Sequence, residues 1–549
     1  MGSARPPSVP GTGLAGVGAR LPVLICGLVV AVAAVLGATA AASAHASLLR
    51  STPSEGAVVQ TAPAGIVLGF SEAVTPLVIE LSAPDSSSAR PAAKAVGADL
   101  TIDWPAQDAP GTYLLSWRVV SSDGHPVAGI LSFSIGSPSA TPPTAAEPSR
   151  GALNFAIWSA RLALYLGLFL GVGGTYALAW LEPGKRTGRS ATAAFVALGL
   201  VAAPVSLGLQ GLDALGAPLR LFGSAMAWQA AAATSYGLTA AFAFLALAMA
   251  LPALAITGRL ARWLSLGALA GTGMALAASG HASAAAPQWL TRPMVFVHGT
   301  GIAFWAGALL PLGLAWREGG QDAETALRRF SIAIPYLVMA LVAAGLVLAI
   351  VQVETPLALW RSDYGRLLLL KLALALLLLL LAGINRWRLT RPALAEQTGA
   401  QRWLVRSIAL ETLLMVAILG VVAGFRFTPP PRVLAIEAAE PAAIHIHTAE
   451  AMADLAIAPG HTGKVSASIV VMTGDFGPLD ARGVTLRLSR PGSAEIKAEG
   501  YKPGDGTWRI DELDLPAAGR WSVAIDVDIS DGQRATLDGD VLIRPAPGW

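Results

Sequence analysis

Eight apolar runs fill the middle of this 549-residue chain, at approximately 152–181, 190–212, 227–256, 260–280, 291–316, 328–352, 366–386 and 404–424. Each reaches the roughly 20 residues that an α-helix needs to cross a bilayer, so the chain is read as a multi-pass membrane protein. Composition agrees: 54% of residues are hydrophobic, only 13% are charged, and mean hydropathy is +0.58. Charge placement sets the expected topology. Loops on one side, counted from the loop after the first run, carry thirteen Lys or Arg, beginning Lys185, Arg186 and Arg189 and ending Arg402 and Arg406. The opposite loops hold four, Arg220, Arg292, Arg361 and Arg366. Such a bias puts the basic loops in the cytoplasm and both ends of the chain outside it. The net charge of +3 is too small and too dispersed to point to nucleic acid.

Residues 1–44 read as a signal peptide: Arg5 and Arg20, then an apolar stretch ending in Ala42-Ser43-Ala44. The apolar stretch is long, and an uncleaved anchor is the alternative. Cys26, the single cysteine, lies inside this leader, so the processed chain would hold no disulfide, zinc ribbon or thiolate copper site. No G-x-x-x-x-G-K-[ST] phosphate loop occurs either. Residues 45–136 have short β-rich runs (66–70, 78–81, 113–120, 130–135) punctuated by Pro, Gly, Ser and Asp, as in a small β-sandwich. A Pro/Ser/Thr-rich linker covers 137–150, the bundle 151–427, and a second exported sandwich 428–549, with alternating runs at 464–472, 484–488, 521–527 and 535–543.

Cleavage after Ala44 would make His45 the amino terminus, with an α-amine and an imidazole able to chelate one ion. Asp123 and His125 lie two apart, on one side of an extended strand end. Three nitrogens and a carboxylate oxygen form a donor set suited to Cu(II). An Asp-Gly-His-Pro turn without metal is the plainer reading of Asp123–Pro126 taken alone.

In the membrane, His281 and His298 are expected near the same outer ends of the fourth and fifth runs. Met274 and Met294 share helix faces with them, respectively seven and four residues away. Ionisable groups at membrane depth are costly and usually have a task, whereas the methionines read more simply as packing. Arg161, Lys371 and Glu411 also fall in apolar runs, at about 2.5–3.5 kcal/mol each on insertion scales, so they should face the interior, with Lys371 and Glu411 able to pair. In the last domain His445 and His447 share a strand face, with Met452 and His461 following, a second potential copper site or an ordinary exposed edge.

The run from His45 (HASLLRSTPSEGAVV), then Ile66 to Glu72, then Trp117 to His125, resembles CopC, a family of exported copper-binding sandwiches. Gly280-His281-Ala282, His298 with Trp305-Ala306-Gly307, Arg329-Phe330-Ser331, and Tyr364-Gly365-Arg366 through Lys371 to Asn385-Arg386 resemble CopD, its multi-span partner. The C-terminal domain is loosely similar to YtkA-like domains. The resemblance implies an immunoglobulin-like CopC sandwich, an eight-helix CopD bundle and a C-terminal sandwich. It implies Cu(II) on His45, Asp123 and His125 with Glu72 as an outer-shell acid. The absence of methionine from 45–136 argues against a Cu(I) site there. The expected partners are copper ion, the bilayer and exported copper chaperones. The expected role is non-enzymatic copper import across the plasma membrane, in Cu(II) and then Cu(I) form. Extracytoplasmic sequestration is the alternative. A haem-carrying oxidoreductase is disfavoured, because His281 and His298 are expected to be offset by roughly 10 Å of helix rise.

Overall fold

The computed structural model describes residues 46–546 apart from 47, 55, 86, 106–108, 122–125, 138, 140–150, 182–186, 319–320, 396–397, 449–450, 475–476, 505 and 531–532. The expected leader, His45, Asp123, His125 and most of the linker therefore lie outside the described residues.

The first domain is a two-sheet sandwich. Strands β1 (Leu48–Thr52), β3 (Gly65–Phe70), β7 (Asp99–Asp103) and β6 (Ala93–Val96) form one sheet in the order β1-β3-β7-β6. The other has the order β2-β9-β8-β4-β5, from β2 (Val58–Val59), β9 (Pro126–Ile135), β8 (Gly111–Ser121), β4 (Val74–Ser82) and β5 (Ser88–Ala89). Alternation along the strands sends one side chain in two inward. Ile66, Leu68 and Phe70 of β3 thus meet Tyr113, Leu115 and Trp117 of β8 in a single core.

The bundle has eight helices long and apolar enough to cross a membrane. They are α1 (Gly151–Trp180), α2 (Arg189–Leu215), α4 (Tyr236–Ala255), α5 (Arg259–Ala278), α7 (Gln288–Glu318), α8 (Gln321–Val353), α9 (Asp363–Ile384) and α10 (Thr398–Gly424). Short helices sit between them, among them α3 (Ala225–Ala233) and α6 (His281–Ala284), and α11 (Pro431–Ala439) follows. The expected run 227–256 is in fact two helices. At the break Thr234 is extended and its hydroxyl donates to the Ala231 carbonyl, replacing a helical bond with a local one. Helices α8 and α9 leave most side chains on the outside, among them Met339, Leu346, Leu372 and Leu376, an apolar surface suited to lipid.

The C-terminal domain is a second sandwich, with sheets ordered β10-β11-β12-β15 and β14-β13-β16-β17. Its strands are β10 (Ala442–His447), β11 (Ala451–Ala458), β12 (Gly463–Thr473), β13 (Gly483–Ser489), β14 (Ile496–Glu499), β15 (Trp508–Leu515), β16 (Gly519–Ser530) and β17 (Gln533–Ile543). Its core surrounds the fully buried Trp521.

The first sandwich and the helix α11 that leads into the second touch the same end of the bundle. Leu77 and Val78 of β4 pack on Leu153, Ile157, Leu212 and Leu215, and the Arg118 guanidinium lies against Gly216 at the end of α2. Arg432 of α11 donates to the Ala286 carbonyl at 2.7 Å, and the Ser54 hydroxyl joins the two sandwiches by donating to the His445 carbonyl at 3.2 Å.

Candidate functional site

One end of the first sandwich gathers the anchors of every ligand expected there. Ala46, beside His45, is buried in the core, and Leu48 pairs with Phe70 at the end of β3. Glu72 follows Phe70 by two residues and precedes Val74, whose partner across the sheet is Ser121, the last residue of β8. Val120 in turn pairs with Pro126, closing the segment 122–125. The strand ends that would present His45, Glu72, Asp123 and His125 therefore lie at a common edge. Among the described residues no group of three or more His, Cys, Asp or Glu side chains is placed to hold a metal.

The bundle holds a cavity of ≈ 550 Å³. Its lining comes from the start of α1 (Arg161, Tyr165), the end of α2 (Gln210), the start of α4 (Tyr236, Thr239) and the end of α5 with α6 (Ser279 to Ser283). The remainder comes from α7 (His298), the end of α8 (Gly345, Gln352), the start of α9 (Tyr364, Lys371) and the end of α10 (Ile418 to Arg426). Most contributions fall in the half of their helix nearest the first sandwich and α11.

His281 and His298 both line this cavity. His281 opens the short helix α6, and His298 lies ten residues into α7, which begins at Gln288. The Gln352 amide holds α6 by donating to the His281 carbonyl at 3.0 Å. His298 is fixed by its own bond: Nδ1 donates to the Leu341 carbonyl at 3.1 Å. A carbonyl only accepts, so Nδ1 carries the proton and Nε2 keeps its lone pair, the arrangement that orients an imidazole for a metal. Gly345 makes room for the ring, since a Cβ there would come 3.1 Å from His298 Cε1.

Other expectations divide. Met274 packs in the cluster around Ala277 and Phe296, Met294 is half-buried on α7, and neither lines the cavity. Arg161 faces inward as expected, its guanidinium 5.0 Å from the Tyr236 ring and 3.5 Å from Gln210 Oε1. The expected Lys371–Glu411 pair does not form. Glu411 is buried and accepts from the Asn385 side chain. Asn385 lies fourteen residues, about 21 Å of helix rise, beyond Lys371. Lys371 opens into the cavity instead.

In the second sandwich, His445 and His447 both lie on β10, on either side of the buried Ile446. His447 stands across from Met452, and His445 from Asp454, whose carboxylate is 2.6 Å from Nδ1. His461 does not join them. It lies beyond the far end of β11, about 20 Å of strand from Met452, with its ring nitrogen bonded to the Thr462 carbonyl.

Gln210, Tyr236, Thr239, Gln352 and Gly345 also line the cavity, beyond the residues expected from the sequence. For the first four the available signal was a polar side chain inside an apolar run. Nothing local marks Gly345.

The CopC domain model matches residues 48–136, and the model described as Copper resistance protein D matches 324–425. Copper resistance protein C of Xanthomonas campestris pv. juglandis is 42% identical over 118 residues, covering 20% of this chain and 91% of its own. The chain belongs to the CopC copper resistance family and carries CopC and CopD domain matches in one polypeptide. Copper transport protein CutJ of Bacillus subtilis (strain 168) is 26% identical over 530 residues, covering 88% of this chain and 93% of its own. The crystal structure of CopC from Methylosinus trichosporium OB3b aligns at 30% identity over 18% of this chain and 98% of its own, with a TM-score of 0.16. The CopC match ends at β9, and the CopD match runs from α8 to the end of α10.

Proposed function

We propose that this protein takes up copper outside the cytoplasm and passes it inward across the plasma membrane. The observation that carries the reading is the position of His281 and His298 in one cavity, on the side of the bundle that meets the first sandwich. On this reading the CopC domain captures Cu(II) at its gathered edge. Removal of the leader after Ala44 supplies the His45 amine and imidazole, and Asp123 and His125 complete the set, with Glu72 behind them. Copper arrives free or from exported chaperones. The ion then moves to the cavity, where His298 Nε2 is poised as a nitrogen donor, and leaves toward the basic cytoplasmic loops. A soft Cu(I) ion would lose less on exchanging water for imidazole, so passage in that form would take one electron per Cu(II) from a reductant outside this chain. The role is binding and transfer, not catalysis. The C-terminal sandwich, read as YtkA-like, braces the first sandwich against the membrane end.

Cellular copper content tests this against sequestration outside the membrane. Expression of the wild-type chain should raise copper inside spheroplasts, and His298→Ala should remove most of the rise. Unchanged internal copper with preserved copper tolerance would establish sequestration instead.

A further inference from the structure

Among the described residues three cations line the membrane cavity, and no Asp or Glu does. Arg426 is compensated, because its guanidinium pairs with the carboxylate of Asp213 at the end of α2. Among the described residues Arg161 meets neutral partners, the Gln210 amide, the Tyr165 hydroxyl and the Tyr236 ring. Lys371 has no hydrogen bond or ion pair among the described residues. The carboxylate nearest to it along the chain, Asp363, is taken by Arg366 at the surface, and Glu411 is taken by Asn385. An ammonium and a guanidinium facing a cavity walled by Leu164, Leu168, Leu368 and Ile418 are poorly served by water alone. Such a wall attracts an anion and repels a bare copper ion.

We propose that the cavity binds a small anion, a halide or a carboxylate, drawn to Lys371 and Arg161. The volume of ≈ 550 Å³ accommodates a carboxylate chelator as readily as chloride. The inference goes beyond the copper reading and does not need it, since the cationic, carboxylate-free lining would hold an anion whether or not copper follows. If copper does follow, it enters as a neutral pair or chelate, with the anion cancelling charge that the histidines leave in place.

The test uses the full-length protein in detergent, without copper, and follows its thermal unfolding midpoint during titration with sodium chloride, sodium formate or sodium citrate. The expected result is a saturable rise with at least one anion. Lys371→Gln should weaken the half-saturating concentration about tenfold, the loss of one charge-assisted contact, and Lys371→Arg should largely restore it. Chloride alone acting identifies a halide site, and formate or citrate alone acting identifies a carboxylate site. An unsaturable rise of equal slope in wild type and Lys371→Gln would be general salt stabilisation and would overturn the proposal, as would no rise at all. Should Lys371→Gln prove unfolded, Arg161→Gln in the same titration carries the same two outcomes. Copper uptake is measured separately, so anion binding without uptake would sink the transport reading and leave this one standing.

Discussion

At the scale of single residues, the cavity depends on how His298 is held. Its ring is positioned by the Leu341 carbonyl on one nitrogen and by the bare backbone of Gly345 beside it. Gly345→Val should push the imidazole off its partner, and losses of such outer contacts typically cost 10–100-fold in metal affinity. Copper uptake at limiting copper should therefore fall at least about tenfold while the folded yield is kept. Uptake equal to wild type would show that the ring is not a ligand. A second residue-scale prediction concerns Asp526 in the C-terminal sandwich. The Arg487 guanidinium, with Nε 2.9 Å away, holds its carboxyl below the ordinary value of 3.8. A carboxyl depressed on folding stabilises the fold above its unfolded pKa, and this contribution is lost as pH falls through the lower folded value. The unfolding midpoint should therefore drop more steeply below about pH 4 in wild type than in Asp526→Asn. Equal slopes would mean that this pair contributes nothing. Neither feature was legible in the chain: Leu341 and Gly345 lie more than forty positions from His298, and Arg487 and Asp526 meet only through the β13–β16 register.

Element by element, much more was readable, because hydropathy and alternation report local physics. All eight spans and both sandwiches follow from periodicity. The break at Thr234 was missed because one hydroxyl exchanging its bond partner barely alters hydropathy. Lys371 and Glu411 were paired wrongly for a related reason: periodicity gives the face of a helix but not the depth of its partner. The Trp305-Ala306-Gly307 motif acquires a physical explanation here. Helices α1 and α7 cross so closely that a Cβ at Gly173 would lie 1.9 Å from the Ala303 carbonyl oxygen, and one at Gly307 would lie 2.1 Å from the Gly173 carbonyl carbon. Small residues permit such approaches where helices pack in a bilayer. Gly307→Leu should destabilise the bundle by at least the about 1–3 kcal/mol of an overpacked core, read as a lower midpoint and poor membrane accumulation. A wild-type midpoint would mean the crossing is looser than described.

Across the whole molecule, the first sandwich and the helix leading into the second meet one end of the bundle, and that end contains the cavity. The sandwich edge that gathers the anchors of the expected Cu(II) ligands was visible in the sequence only as separate motifs. Their convergence needed the strand pairings Leu48–Phe70 and Val74–Ser121. Docking of Leu77 and Val78 on α1 and α2 gives that edge a fixed relation to the membrane. Leu77→Asp should spoil the docking by burying a charge, leaving Cu(II) binding by the full chain intact while slowing uptake. Loss of binding and uptake together would place Leu77 in the capture step instead.

Copper-64 uptake into proteoliposomes, with the sandwiches facing outward, tests the central claim most directly. The account predicts accumulation in the lumen by the wild-type chain and its loss in the His281→Ala, His298→Ala double variant, with copper still bound outside. Equal lumenal accumulation in both would contradict a route through this cavity.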